Sequence, residues 1–255
     1  MLNERDQIGC TPMHYAVVTG KLECIDYLSK HGAELTAKSL HFDLPLHFAA
    51  RFGRYNSCLK LVQSRVGNLM INAHDGQDRV PVMLAAMNGH EEVVKLLVNM
   101  GSLAVHRDYT GCTALHLAAK GGFTRTMKIL LNNRLSLIDT ADNDGNTALH
   151  TAAKANKAGV VRLLLNQNCA ITLNNYGITA FGMAIEEKCR DTLYCMVENE
   201  RWEELLSTSC TDSSSHFLRL IDTLPDVAIK VMDKCITESE HNSKSKDYLV
   251  IEFKL

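Results

Sequence analysis

Four histidines recur along the chain at repeat-like intervals, His14, His47, His116 and His150, and nine cysteines are scattered among them. Imidazole is the common metal ligand and the side chain that exchanges its proton near neutrality, and a thiolate is the strongest side-chain nucleophile. Spacing argues against a shared histidine site. Histidines one unit apart in a helical stack sit ~10 Å from one another, too far to hold one ion. Each is expected to be a hydrogen-bonding residue that ties one unit to its neighbour, because buried polar groups need partners. The cysteines are odd in number, form no Cys-x-x-Cys pair and fall partly at apolar helix positions, so they read as reduced thiols rather than a disulfide framework. Lys234 stands beside Cys235, and its charge favours a thiolate there, although a cysteine at a helix end also suits half-buried packing.

The chain contains no nucleophile elbow, phosphate-binding loop, dinucleotide fingerprint or metal-spaced cluster, so it is read as a non-enzyme with no catalytic residue, cofactor or metal. Its 27 basic and 29 acidic side chains give a net charge of -2 without a long run of either sign. That balance excludes the electrostatic footprint of a nucleic-acid or membrane-surface binder. No apolar stretch approaches the ~20 residues of a spanning helix, and the start, MLNERDQIG, is too polar for a secretory signal. The chain as given is expected in the cytosol. A beginning close to a motif and an ending on apolar Val250–Leu255 lead to the expectation of a piece of something longer.

The histidines belong to a repeated text. Thr11-Pro12-Met13-His14-Tyr15-Ala16 returns as Leu44-Pro45-Leu46-His47-Phe48-Ala49, Val80-Pro81-Val82-Met83-Leu84-Ala85, Thr113-Ala114-Leu115-His116-Leu117-Ala118, Thr147-Ala148-Leu149-His150-Thr151-Ala152 and, more weakly, Thr179-Ala180-Phe181-Gly182-Met183-Ala184. The intervals are 33, 36, 33, 34 and 32 residues, a period that resembles the ankyrin repeat. Glycines 9, 76, 111, 145 and 177 precede the motif, where a finger-tip turn needs positive φ. Threonine suits the N-cap and proline the first helical position. Alanine pairs such as Ala49-Ala50 and Ala118-Ala119 allow close helix approach, and glycines 20, 53, 89 and 122 close the first helix. A second helix follows, in which Val93, Val94, Leu96, Leu97 and Val98 point inward while Glu91, Glu92 and Lys95 face water. The extra residues around Val66-Gly67-Asn68-Leu69 read as a lengthened loop. A single unit cannot bury its apolar faces, so stability comes from stacking neighbours.

The period stops near Glu200. The fold is therefore expected to be all-α, with repeats over 1–199 and a different region over 200–255. Arg201-Trp202-Glu203-Glu204 opens that region and Ser207–Ser215 is a polar linker. One helix carries Phe217, Leu218, Leu220 and Ile221 before Pro225. A second starts at Asp226, presents Val227, Ile229, Val231 and Met232, and ends near Cys235. The hairpin lacks the Arg and Asn cluster that reads bases. Glu238–Lys246 is turn-like and Tyr248–Phe253 has strand composition, which needs a partner strand from elsewhere.

This text resembles the membrane-proximal cytosolic part of the ankyrin-type transient receptor potential (TRPA) cation channels. The residues that carry the likeness are Leu46-His47-Phe48-Ala49-Ala50 with Gly53-Arg54 and Cys58-Leu59, Gly122-Phe123-Thr124-Arg125-Thr126-Met127, Arg201-Trp202-Glu203-Glu204, Leu224-Pro225-Asp226, and Asp233-Lys234-Cys235 leading to Lys246-Asp247-Tyr248. The resemblance implies a regulatory segment of a calcium-permeable, non-selective cation channel at the plasma membrane, on its cytoplasmic side. It implies four subunits around a pore after Leu255, and a hairpin and strand linking repeats to pore. It also places Cys235 where family members carry an electrophile-reactive cysteine, which makes it the candidate reactive thiol, while Ser215 and Ser245 stand at two other such places, a departure from the family pattern that weighs against electrophile gating. On the repeats alone, the alternative is a freestanding adaptor that binds protein partners through its ankyrin surface.

Overall fold

The computed structural model of the chain describes residues 2–132, 135–207 and 216–242. The chain divides into two compact units, Met1–Asn143 and Asp144–Leu255. In the first unit four motifs each start a helix pair: α1 (Pro12–Thr19) with α2 (Leu22–Lys30), α3 (Pro45–Arg51) with α4 (Tyr55–Val62), α6 (Pro81–Met87) with α7 (Glu91–Asn99), and α8 (Ala114–Gly121) with α9 (Thr124–Leu131). A one-turn α5 (Gly67–Met70) follows the second pair, and a short 3-10 turn spans Leu135–Leu137. First helices pack in the order α1, α3, α6, α8 and second helices in the order α2, α4, α7, α9, giving two layers.

The reasons are those of the repeat text. Pro12, Pro45 and Pro81 occupy the first helical position, where no amide partner is lost. Ala49, Ala50, Ala85, Ala86, Ala118 and Ala119 are fully buried, which lets first helices lie close. Gly20, Gly53, Gly89 and Gly122 have φ between +66° and +85° at the turn between the two helices of a pair. In α7, Val93, Val94, Leu96 and Leu97 are buried; Val98 is half-buried rather than inward.

Two expectations for this unit are corrected. The finger-tip position held at positive φ by Gly9 and Gly111 is occupied in the third finger by Asp78, not Gly76, and in the second by Phe42, both at φ 61°. Gly76 lies two residues earlier and donates its N–H to the His41 carbonyl at 2.8 Å. The insertion at Val66–Leu69 is not a loop: it folds into α5, which buries Met70 and exposes Leu69. Gly67 is required there, because a Cβ would lie 1.8 Å from the Val62 carbonyl oxygen.

The second unit contains α10 (Ala148–Lys154) with α11 (Ala158–Asn166), α12 (Ala180–Glu186) with α13 (Arg190–Glu198), then α14 (Trp202–Ser207), α15 (His216–Thr223) and α16 (Pro225–Asn242). Helices α15 and α16 form the expected hairpin around Leu224, with α15 against α12 and both α14 and α16 against α13. Leu220, Leu224, Val227, Ala228 and Val231 form its buried stripe, whereas Ile229 and Met232, expected inward, are exposed. The second helix runs seven residues past Cys235 because no glycine or proline interrupts it up to Asn242. The serine-rich stretch at 208–215, Ser245 and the strand expected at 248–253 lie outside the described residues. No helix among the described residues is long and apolar enough to cross a membrane.

Candidate functional site

The motif histidines act as ties. The His14 Nδ1 accepts the Thr11 backbone N–H at 3.0 Å and lies 2.9 Å from its hydroxyl. With Nδ1 an acceptor, the proton sits on Nε2, which donates to the Asp43 carbonyl of the next finger at 3.1 Å. His47 repeats the pattern, accepting from the Leu44 N–H at 3.1 Å and reaching the Ala73 and Arg79 carbonyls at 3.1 and 3.2 Å. His150 does so between the Thr147 N–H and the Ile178 carbonyl, both at 3.2 Å, and His116 accepts from the Thr113 N–H at 3.2 Å. Burial holds His14 and His47 below the ordinary imidazole value, against the opposing pull of their carbonyl bonds and of Asp43. They are neutral struts.

Successive finger tips are joined by single backbone bonds. Leu40 N–H donates to Ile8 at 3.0 Å, Gly76 to His41 at 2.8 Å, and Asn143 to Thr110 at 3.0 Å; in the second unit Asn175 donates to Asp144 at 2.9 Å. Inside each tip an acceptor side chain gathers two amides: Asp6 takes those of Ile8 and Cys10, Asp75 those of Gln77 and Arg79, Asp108 those of Thr110 and Cys112. The tips expose Ile8, Leu40, Phe42 and Tyr109 in the first unit and Tyr176 in the second, a surface suited to a protein partner.

The sixth motif has Gly182 where four of the other five have histidine and the third has Met83, and the vacancy is filled from outside the repeat. His216, the first residue of α15, places Nε2 3.2 Å from the Thr179 hydroxyl and its ring edge-on to Phe181, 5.6 Å between centroids. The Leu206 carbonyl, 3.4 Å from Nδ1, can only accept, so the neutral ring carries its proton on Nδ1 and Nε2 accepts from the Thr179 hydroxyl, whose oxygen also accepts the Gly182 N–H at 3.0 Å. Burial pushes this imidazole down as well. Gly182 marks the sixth motif as the weaker copy in the sequence, whereas His216 goes unmarked; the signal is a Thr-x-x-Gly in place of Thr-x-x-His, followed by a histidine beyond the period.

A second fastening joins α16 to the end of α13. The Lys234 ammonium donates to the Val197 carbonyl at 2.7 Å and the Asn199 carbonyl at 3.1 Å, and lies 5.1 Å from the centre of the Trp202 ring. A cation belongs at a helix C-terminus, and the indole face adds to the attraction. Cys235, its neighbour, is half-buried on α16. The Lys234 charge taken from sequence as support for its thiolate is thus directed to the α13 terminus. The eight described cysteines are free thiols. Cys58 is fully buried and its thiol is pushed up to about 12, and burial also raises Cys10, Cys112 and Cys189.

The structure also gathers three ligating side chains that no motif announced. His74, Asp78 and His106 each bring one ligand atom to within 4.8 Å of the others at the tips of the third and fourth fingers. The signal was a His-x-x-x-Asp followed by a histidine about one repeat later.

The family profile for ankyrin repeats in three copies matches residues 46–139 and 127–201, and the profile for ankyrin repeats in many copies matches 13–62. The chain is 37% identical over 253 residues to the transient receptor potential cation channel subfamily A member 1 of Homo sapiens, covering 98% of this chain and 22% of that protein. It is 38% identical over 251 residues to the Drosophila melanogaster protein of the same name, covering 98% and 21%. Similarity to the nuclear factor NF-kappa-B p105 subunit of Gallus gallus is 29% over 121 residues, 47% of this chain and 12% of that protein. The chain spans about a fifth of the length of the channel relatives it matches.

Proposed function

The chain belongs to the ankyrin-repeat family, and from that premise we propose that it is the cytosolic coupling segment of a TRPA-like, calcium-permeable, non-selective cation channel subunit. The observation that carries this reading is where similarity stops. The ankyrin profiles end at residue 201, and a relative outside the channel group covers less than half of the chain, but likeness to the channels continues through α14, α15 and α16. A freestanding adaptor needs only the repeats. The hairpin is the added part, and in this reading it is the linker.

Residues 1–199 then receive partners or stimulus through the finger surface, and residues 200–255 pass the response to a gate. The full protein is a homotetramer at the plasma membrane with this segment on the cytoplasmic side. The segment runs no reaction; it transmits through packed contacts between α12 and α15 and between α13 and α16. In this reading Cys235, half-buried on the helix that Lys234 fastens, reports alkylation or oxidation to that contact.

Replacing Leu220 or Val231, both fully buried, by Asp puts an unpaired carboxylate into the hairpin stripe. In the full-length channel either change abolishes stimulus-evoked current while surface expression persists. The exposed Ile229→Asp control leaves currents intact. Unchanged currents from both buried variants contradict the linker role.

A further inference from the structure

Beyond the coupling role, the geometry points to a binding site for a zinc-class divalent cation formed by His74, Asp78 and His106 at the tips of the third and fourth fingers. The donor set is two imidazoles and one carboxylate, each contributing one atom within 4.8 Å of the others. His74 Nδ1 lies 3.8 Å from Asp78 Oδ1, and the two imidazole centroids are 4.6 Å apart with 40° between planes. A tetrahedral zinc with bonds of about 2.0–2.1 Å holds its ligands ~3.3 Å apart. Closing the cluster therefore needs side-chain shifts on the scale of an ångström. The His74 and Asp78 side chains are 49% and 63% exposed, so they have that freedom, and water can complete the coordination.

The surroundings hold the backbone while the side chains adjust. His106 Nε2 lies 2.8 Å from the Asp78 carbonyl oxygen, and the Tyr109 N–H donates to the Gln77 carbonyl at 3.3 Å, so the two tips are already in register. Asp75, beside His74, is turned away by an ion pair with Arg79 at 2.7 Å and by the amides it gathers. The free carboxylate in the cluster is that of Asp78. Two nitrogen donors select a borderline cation such as zinc over calcium or magnesium, which prefer all-oxygen sites. With no nucleophile in the cluster among the described residues, a bound ion acts as a staple between two neighbouring repeats. Two tilted imidazoles next to a carboxylate form a weak contact without an ion, whereas one cation satisfies all three groups at once.

The test uses the 255-residue chain titrated with zinc chloride, followed by histidine ring NMR signals and by competition against a chromophoric chelator. The His74 and His106 rings shift together at about one equivalent, and zinc raises the thermal midpoint. His74→Ala, His106→Ala and Asp78→Asn each weaken binding by ~100-fold or more, in line with the loss of a ligand and its support. Asparagine tolerates the left-handed backbone at position 78, so that variant keeps the turn. The histidine readout separates this site from zinc held by thiols. Ring signals that stay fixed at millimolar zinc overturn the proposal. So does an affinity unchanged in all three variants, or displacement of zinc by tenfold magnesium.

Discussion

His216 occupies the space that Gly182 leaves in the last repeat, with its Nε2 3.2 Å from the Thr179 hydroxyl. In the fifth repeat the same place beside Thr147 is held by that repeat's own His150. The α15–α16 hairpin is therefore docked by a contact of the repeat's own design. His216→Ala removes it and leaves the Thr179 proton and the Leu206 carbonyl poorly satisfied, a loss of about 1–3 kcal/mol in local stability. Hydrogen exchange over residues 216–223 accelerates at least tenfold while α1–α4 are unchanged. Gly182→Ala, whose Cβ meets His216 Nε2 at 3.1 Å, loosens the same helix by crowding. Equal protection in wild type and both variants contradicts the docking role.

The buried histidines set an acid limit on stability. His14, His47 and His216 have folded values pushed below the ordinary imidazole by burial, so the unfolded chain binds protons first as pH falls. Stability is full above about pH 6.5 and declines below it until the folded imidazoles themselves protonate. Asp75 behaves differently. Burial opposes its charge, but the hydrogen bonds from Arg79 and Gln77 outweigh it and lower its value, so its contribution is lost only below about pH 4. Urea midpoints measured from pH 8 to pH 5 fall. Replacing His47 by Gln reduces the slope between pH 6.5 and 5, and a slope unaltered by that change rules out the histidine origin.

Glycines 67 and 101 separate crowding from backbone strain. At Gly101 φ is +92° and a Cβ meets nothing within 4 Å, so alanine costs only the left-handed strain of about 1–2 kcal/mol. At Gly67 the Cβ would collide with the Val62 backbone at 1.8 Å and α5 must move, a loss of about 2–4 kcal/mol. Chemical denaturation orders the two variants; the reverse order contradicts the packing of α5.

Thiol labelling ranks the cysteines. Cys58 stays unlabelled in the native chain, because it is fully buried and its thiol is raised to about 12. Cys24 is exposed and gives the reference rate. If Cys235 is a sensor, it labels faster than Cys24 despite being half-buried. A rate at or below that of Cys24 removes the sensor reading.

The repeat architecture was legible because each local rule served the global fold. Proline at N1, the threonine cap, the alanine pairs and the histidine tie all recur at one period and act on the same helix pair. What escaped the sequence depended on long-range geometry. Asp78 takes a glycine's turn because aspartate tolerates positive φ, so the missing Gly gave no warning. Phe42 does the same without that excuse, at φ 61°. The buried stripe of α16 lies one flank away from the sequence expectation, since Ile229 and Met232 are as apolar as Val227 and Val231 and only docking on α13 distinguishes them. The two histidine arrangements outside the motif, His216 on Thr179 and His74 beside His106, join residues 37 and 32 positions apart. Nothing local in the sequence connects them.

The most direct measurement reads the transcript downstream of the codon for Leu255. The account predicts several apolar segments of about 20 residues each, the membrane part to which the α15–α16 hairpin couples the repeats. A stop codon directly after Leu255, with a folded soluble product, contradicts it and leaves an ankyrin-repeat adaptor that shares its linker with the channels.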